Sequence, residues 1–264
     1  MKFLKSLALI ATGIALAACG SSGSSGIGGH HSSGNGGNLT KSEIKINSSG
    51  SAGSYLTEHN HAITTGLFAN GDYDKMQVLR VNGQDIQMVP ANIAPTRTHH
   101  NSIDEWRTDN ISSMISTDLM HARYGTIKVP ELLNQPYIFA QGNLSDALPT
   151  HANPVTYQGR AIYIDLKGND DKKENFDNVG TSQFTVHFDK KTVDGTLKFD
   201  SKPDIFLHGK IDGSHFNGKM GNVITRGAFY GKDAAELAGT FHQEGKGNKE
   251  VGDFAGAFGA KQQK

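Results

Sequence analysis

The sequence contains one cysteine, Cys19, so no disulfide bond can form within the chain. Its fold must then be stable through packing alone. Basic and acidic side chains balance at 26 each, which leaves neither half of the chain with the basic surface that nucleic acids require. Motifs for catalysis are missing too: we find no Gly-x-Ser-x-Gly elbow, no His-Glu-x-x-His motif and no paired carboxylates. We therefore expect neither enzymatic activity nor a bound metal.

Long hydrophobic runs are also absent. The apolar run from Leu7 to Ala18 would rise about 18 Å as a helix, well short of the roughly 30 Å of hydrocarbon in a bilayer. Because a basic start precedes this run and small residues follow it, residues 1–18 predict a secretory signal peptide. Leu16–Gly20 resembles a bacterial lipobox, in which the cysteine becomes the new N-terminus and carries acyl chains such as palmitate. We expect lipid on Cys19 to anchor the protein stably in a membrane.

Residues 19–38 predict a flexible linker. Beyond Cys19 they are nearly all Gly, Ser, Asn and His, and such a segment buries too little apolar surface to fold. It would span about 25 Å and hold a folded body clear of the lipid head groups. Gly20 after the cysteine favours the outer membrane under the sorting rule of bacterial lipoproteins.

Residues 151–264 show the period-two pattern of β-strands. Phe184, Val186 and Phe188 fall on one face of a predicted strand, and Thr185 and His187 fall on the other. Turn residues separate the apolar runs at intervals of about 8–12 residues. We predict eight strands, near residues 155–166, 182–189, 193–199, 204–212, 214–220, 223–230, 236–243 and 251–259. Eight antiparallel strands close into a small barrel that is filled by side chains or holds one small ligand.

The end of the chain carries the most specific pattern. Residues 227–241 read GAFYGKDAAELAGTF, and Phe254–Lys261 reads FAGAFGAK. The first segment resembles the penultimate hairpin, and the second the last strand, of the barrels in neisserial-type surface lipoproteins. That family includes transferrin-binding protein B, factor H-binding protein, the heparin-binding antigen, the hemophilins and colonisation lipoproteins of nematode symbionts. The resemblance covers the C-terminal domain, and residues 39–150 show no residue match.

The resemblance implies a two-domain lipoprotein, with a ligand-binding handle domain at residues 39–150 and the barrel at residues 151–264. It implies display on the exterior of the outer membrane by a dedicated translocon. The implied function is host association or colonisation through binding of a host protein or glycan. Haem acquisition, as in the hemophilins, is the alternative. A structural lipoprotein facing the periplasm is the third interpretation.

Residues 39–150 also favour β-structure, so we predict an all-β fold with minor helix. Asn82-Gly83 between two apolar runs predicts a two-residue hairpin. The apolar residues between Asp104 and Tyr124 are spaced as in one or two short helical stretches. Pro149–Pro154 marks the predicted junction between the domains.

Within residues 39–150, Thr96–Ile103 is the segment that least resembles a buried core element, and it predicts a polar loop. It contains Arg97, His99 and His100, and Trp106, the only tryptophan, follows shortly. Trp and Arg often dominate binding energy at interfaces, so this segment predicts a recognition surface. The alternative is an exposed loop above a core tryptophan.

Haem binding would depend on the histidines of this part of the chain, which would act as iron ligands. A haem iron requires an axial histidine above an apolar pocket. The candidate ligands are His99, His100 and His121, and the residues near enough in sequence to line a pocket are Trp106, Met114 and Met120. Otherwise we expect no cofactor.

Overall fold

The computed structural model describes residues 51–59, 62–69, 78–81, 84–87, 96–100, 102–107, 112–128, 137–166, 179–245 and 252–264. The predicted signal peptide, Cys19 and the linker lie outside the described residues. The part of the chain that is described is almost entirely β-structure, as the sequence predicts. Within it, no helix is both long and apolar enough to cross a bilayer.

The first half of the chain forms a seven-stranded antiparallel sheet and a separate hairpin. The strands are β1 (Ser51–His59), β2 (Ala62–Ala69), β3 (Val78–Val81), β4 (Gln84–Gln87), β5 (Thr96–His100), β6 (Ile103–Arg107), β7 (Ser112–Ser116), β8 (Ala122–Lys128) and β9 (Tyr137–Asn143). Their order in the sheet is β2-β1-β9-β8-β7-β6-β5, so β5 lies at one edge. The hairpin predicted around Asn82-Gly83 is confirmed, because β3 pairs with β4 on either side of it.

The second half forms the predicted closed barrel of eight antiparallel strands. The strands are β10 (Val155–Asp165), β11 (Val179–His187), β12 (Thr192–Lys198), β13 (Ile205–Asp212), β14 (His215–Met220), β15 (Val223–Tyr230), β16 (Glu236–Gln243) and β17 (Phe254–Gln262). β10 pairs with β17 and completes the cylinder. All eight predicted strands are confirmed, with ends shifted by a few residues. A 3₁₀ turn, Lys232–Ala234, joins β15 to β16.

The helical stretches predicted between Asp104 and Tyr124 were wrong. That segment contains β6, β7 and the start of β8 instead. Four consecutive residues of β7, Ser113–Ser116, are buried, so the strand is covered on both faces and shows no period-two alternation. Periodicity alone does not distinguish such a short buried strand from a helix. The peptide N–H of Tyr124 donates to Ser116 Oγ at 3.0 Å, which uses a buried polar side chain within the sheet.

Phenylalanine rings fill the barrel interior, and glycines on neighbouring strands make room for them. Phe184 lies directly across from Gly195, and Phe258 lies directly across from Gly239. Two more such pairs, Phe216 with Gly227 and Phe241 with Gly256, follow the same rule. The Phe184 and Phe258 ring centroids are 4.9 Å apart, so the rings also pack against each other across the interior. The interior of the barrel is therefore filled by side chains and forms a packed core.

The sheet packs on the outside of the barrel, where the barrel presents small residues. Buried alanines face the sheet from three barrel strands; they are Ala228, Ala238, Ala255 and Ala257. The sheet contributes Leu119 and Tyr124 to the same cluster. Gly259 lies under both: an added Cβ there would lie 2.3 Å from Tyr124 Cε1 and 2.8 Å from Leu119 Cδ1. The two β-structures thus share a core in which large side chains of the sheet rest on a smooth barrel surface.

The phenylalanine–glycine pairing makes a stability prediction. A Cβ on Gly195 would lie 2.4 Å from Cε1 of Phe184, a ring already held against Phe258. We expect Gly195→Ala to lower the free energy of unfolding by about 1–3 kcal/mol, measured by urea denaturation. Gly209→Ala is the matched control, because its Cβ would meet no atom closer than 3.3 Å. Equal losses in the two variants would contradict the pairing as the cause.

Candidate ligand-binding site

The turns of the β5–β6 and β7–β8 hairpins lie side by side at one end of the sheet. Thr117 joins them, since its peptide N–H and its Oγ1 both donate to Ser102 O, at 2.9 and 3.1 Å. We call residues 99, 100, 102–104 and 117–121 the hairpin end of the sheet. Ser102 has a φ of 69°, as a tight turn between β5 and β6 requires.

Four of the predicted site residues fall on one hairpin. The register places Arg97 directly opposite Trp106, and His99 opposite Asp104. Most of the segment predicted as a polar loop, Thr96–His100, is therefore an edge strand, β5, which pairs along its whole length with β6. Two β-branched threonines within it suit a strand, and hydrophilic composition alone gave the wrong prediction. His99 and His100 are adjacent in β5, so they belong to opposite faces of the sheet.

His121, the fifth predicted residue, lies at the same end of the sheet but in a different setting. It ends the β7–β8 loop and is half-buried. Its ring packs on the backbone of Gly231, where a Cβ would lie 2.4 Å from His121 Cδ2. The neighbouring Met120 points outward and is 74% exposed. The hairpin end thus brings the three predicted histidines into one region and adds an exposed thioether.

A buried carboxylate holds the β7–β8 loop on the barrel. Glu236, at the start of β16, accepts the peptide N–H of Met120 at 2.7 Å and that of His121 at 2.8 Å. Only 4% of Glu236 is exposed, so these two donors replace the water that the carboxylate loses. Sequence reasoning gave no role to Glu236, although it lies within the C-terminal motif. The motif contains Glu236, but its partners are peptide N–H groups, which every residue except proline has. The sequence therefore does not show where this carboxylate binds.

Charge is concentrated behind the loop. Burial raises the pKa of the Asp118 carboxyl, and the negative charge of Glu236 raises it further, against the opposing effect of Lys261 and Arg123. Burial lowers the pKa of Arg123, while Glu236 and Asp118 oppose that shift. The Arg123 guanidinium donates to the carbonyl oxygens of Leu119 and Ala122. Arg123 thus braces the loop through two of its own carbonyl oxygens, and Glu236 binds the loop to the barrel.

The structure also shows a groove that the sequence did not predict. It lies at one end of the barrel and has a volume of about 450 Å³. We call it the barrel-end groove; its lining includes Tyr163, Lys202, Phe206, Met220, Val223 and Phe254. Phe206 is 52% exposed and Met220 is 47% exposed. The available clue was Phe206, which stands on the outer face of β13 between the buried Ile205 and Leu207.

Among the described residues, no group of three or more His, Cys, Asp or Glu side chains is placed to hold a metal ion. Glu236 is committed to two peptide N–H groups. What the two regions offer a ligand is shape, exposed apolar side chains and scattered charge.

Comparison with known proteins finds a family that matches the barrel. Residues 148–262 match the family described as the C-lobe and N-lobe β-barrels of Tf-binding protein B. This match covers the barrel, a little under half of the chain. The eight-stranded barrel of this chain thus matches the barrels of that family.

The whole described fold is also similar to solved structures of transferrin-binding protein B. The protein from Neisseria meningitidis is 20% identical with a TM-score of 0.57, and the alignment covers 80% of this chain and 44% of that one. A tryptophan-to-alanine mutant of the protein from Haemophilus parasuis is 21% identical with a TM-score of 0.55, covering 81% and 45%. An uncharacterized protein of Haemophilus influenzae is 29% identical over 169 residues, 61% of this chain and 54% of that protein. The chain thus spans only about half the length of these relatives.

The motif by which the sequence resembles this barrel family has a structural explanation. Gly231 has a φ of 74° and leaves room for the His121 ring. Ala234 is buried, and its carbonyl oxygen accepts the Tyr157 hydroxyl at 2.7 Å. Glu236 binds the loop of the sheet. The motif therefore encodes the junction between the barrel and the sheet that packs on it.

This junction gives a second prediction. Glu236→Gln would turn a side-chain amide group toward a peptide N–H donor, so we expect the free energy of unfolding to fall by about 1–3 kcal/mol. The amides of Met120 and His121 should exchange with deuterium faster in this variant than in the parent. Glu244→Gln is the control, because Glu244 is exposed and pairs with Lys219 at the barrel end. Unchanged exchange at both amides in Glu236→Gln would contradict the assigned role.

Proposed function

We propose that this protein is an outer-membrane lipoprotein, anchored through acylated Cys19 and displayed on the cell exterior, that binds a host protein and catalyses no reaction. The observation that carries the proposal is a transferrin-binding protein B barrel with a β-sheet packed on its outer face. The lipobox and the Gly/Ser-rich linker support the anchor and the display. Host association or colonisation would be the biological role, and a surface-lipoprotein translocon would be the export partner.

The packed barrel argues that recognition takes place on the outside of the molecule. Phe184, Phe216, Phe241 and Phe258 occupy the interior, so a ligand gains no access there without unfolding the core. The β5–β6 hairpin is different, because β5 is the edge strand and, among the described strands, none pairs with its outer side. Arg97 and Trp106, opposite each other on that hairpin, are of the residue types that most often dominate interfaces. We therefore place the recognition surface on the β5–β6 hairpin.

The relatives suggest the first host protein to test. Two solved structures of similar fold are named for transferrin binding. Since this chain spans less than half of their length, transferrin is a candidate and other host proteins or glycans are alternatives. The balanced charge of the chain gives no reason to expect nucleic acid as a partner.

A binding experiment with the whole chain tests this proposal. The chain is immobilised and exposed to host serum, retained proteins are identified, and transferrin is measured separately by surface plasmon resonance. We expect saturable binding of one host protein, weakened about tenfold or more by Arg97→Ala, as is typical of a dominant interface side chain. Lys190→Ala, in the exposed β11–β12 turn of the barrel, should leave binding unchanged.

Two outcomes would count against the proposal. If no host protein or glycan is retained at micromolar concentration, a binding role in the host fails. If binding is retained in Arg97→Ala but lost in Lys190→Ala, the recognition surface lies on the barrel instead. Protease treatment of intact cells tests display: a chain that is cleaved only after permeabilisation faces the periplasm.

Haem binding is the second candidate, favoured by the gathering of His99, His100 and His121 at the hairpin end. Because His99 and His100 belong to opposite faces of the sheet, only one of them can face a given haem. Met120, exposed beside His121, could approach the same ligand.

Titration with haemin distinguishes this alternative. If haem binds, we expect a saturable shift of the Soret band that is reduced severalfold by either His99→Ala or His100→Ala, but not by both equally. His208→Ala is the control, because that histidine pairs with Asp194 on the barrel. A shift that does not saturate, or that survives each of His99→Ala, His100→Ala and His121→Ala, would exclude the site.

A further inference from the structure

Two nitrogen-bearing side chains on the outer face of the barrel are withdrawn from water without a hydrogen-bond partner. Arg226, in β15, is half-buried, and His242, in the neighbouring β16, is only 7% exposed. Among the described residues, no hydrogen bond or ion pair involves either side chain. Buried polar groups are almost always paired, so an unpaired guanidinium beside an unpaired imidazole requires an explanation.

The strand register places the two side chains on one face. Phe241 points into the barrel, so its neighbours Thr240 and His242 point outward. Arg226 is directly opposite Thr240, and Ile224 is directly opposite His242. Arg226 and His242 are therefore diagonal neighbours on the outer face, at a separation over which long side chains reach each other.

This pair lies beside the surface that the sheet covers. Ala228 and Ala238, which pack under the sheet, lie on the same outer face and directly opposite each other. Strand β1 of the sheet lies against both β15 and β16. Water therefore reaches the pair only in part, and hydrogen bonds are electrostatically stronger where water is partly excluded.

No described carboxylate compensates the positive charge of Arg226. Burial lowers the pKa of Arg226, and no described acidic side chain acts against that shift. Burial and the charge of Arg226 lower the pKa of His242 to about 4, against the opposing effect of Glu244. Glu244 is itself paired with Lys219. At neutral pH the pair therefore carries one net positive charge, with N–H donors on both side chains.

We propose that Arg226 and His242 bind a carboxylate group on the outer face of the barrel. A planar guanidinium donates two parallel hydrogen bonds to the two oxygens of a carboxylate, and a neutral imidazole can donate a third. The group would belong to a small free acid or to an acidic side chain of a protein partner, since both present the same chemistry. A cationic ligand would be repelled by Arg226. The site does not depend on the proposed host-protein surface, which lies on the β5–β6 hairpin.

Titration of the whole chain with sodium acetate tests the site. The chain carries Cys19→Ser, so that it is not acylated. Proton–nitrogen NMR follows the Arg226 Nε–Hε signal and the peptide N–H signals of β15 and β16, with sodium chloride at equal ionic strength as the reference. We expect a saturable shift at millimolar acetate that chloride does not produce.

A blocked peptide with one glutamate, acetyl-Gly-Glu-Gly-amide, distinguishes the two sources of the carboxylate. Binding as tight as that of acetate would assign the site to an acidic side chain of a protein partner. Binding of acetate without binding of the peptide would assign it to a small free acid, because the sheet would then exclude a longer chain.

Substitutions separate the charge, the planar fork and the imidazole. Arg226→Met removes the charge and should weaken acetate binding about tenfold or more, whereas Arg226→Lys keeps the charge without the fork and should weaken it about threefold. His242→Phe removes the ring N–H and should weaken binding severalfold. Lys210→Met is the matched control, because this exposed lysine lies on β13, two strands from Arg226, and its loss should leave binding unchanged. Far-UV circular dichroism checks that each variant is folded.

Three results would overturn the proposal. The first is a shift with acetate no larger than the shift with chloride. The second is equal weakening by Lys210→Met and Arg226→Met, which would indicate a diffuse effect of surface charge. The third is tighter binding of phosphate than of acetate at equal ionic strength, which would assign the pair to a different anion.

Discussion

The close approach of the sheet to the barrel determines the arrangement of the whole molecule. Tyr124 and Leu119 lie directly on Gly259, where even one methyl group would collide with both. The alanines around Gly259 keep the rest of that surface equally shallow. Such a surface has no large side chains that interlock with the sheet, so packing alone would not fix the position of the sheet on the barrel. Glu236 provides that position, because its carboxylate binds two consecutive peptide N–H groups of one loop.

Space is also limited inside the barrel. An eight-stranded barrel has an interior just wide enough for side chains, and large rings from every strand would not fit. Placing a glycine directly opposite a phenylalanine solves this, as in Phe184 with Gly195 and Phe258 with Gly239. The barrel can then close around an aromatic core without a disulfide, which a chain with one cysteine cannot form. The packed interior consequently leaves only the outer surfaces and the ends of the barrel open to contact.

The sequence predicted the barrel well because its strands have one buried and one exposed face, so period two is visible, as in β11. It failed for β7, where Ser113–Ser116 is buried on both faces and the alternation disappears. The candidate residues of the β5–β6 hairpin were predicted as a group, since they are close in sequence, but their strand pairing was not. The role of Glu236 was invisible because its partners are peptide N–H groups. The barrel-end groove depends on turns far apart in the chain, which no local pattern brings together.

A division between stability and recognition follows from this architecture. Ile205 and Leu207 point into the barrel, whereas Phe206 between them points out and is 52% exposed. Alternation along a strand lets an outward residue change without disturbing the core beneath it. A large exposed aromatic there adds little to folding stability, and with Met220 it forms an apolar patch beside a groove. In a fold whose interior is closed to ligands, such outward positions are where binding can be gained or lost at small cost in stability. The barrel therefore acts as a stable support, and its outward residues are free to vary without loss of the core.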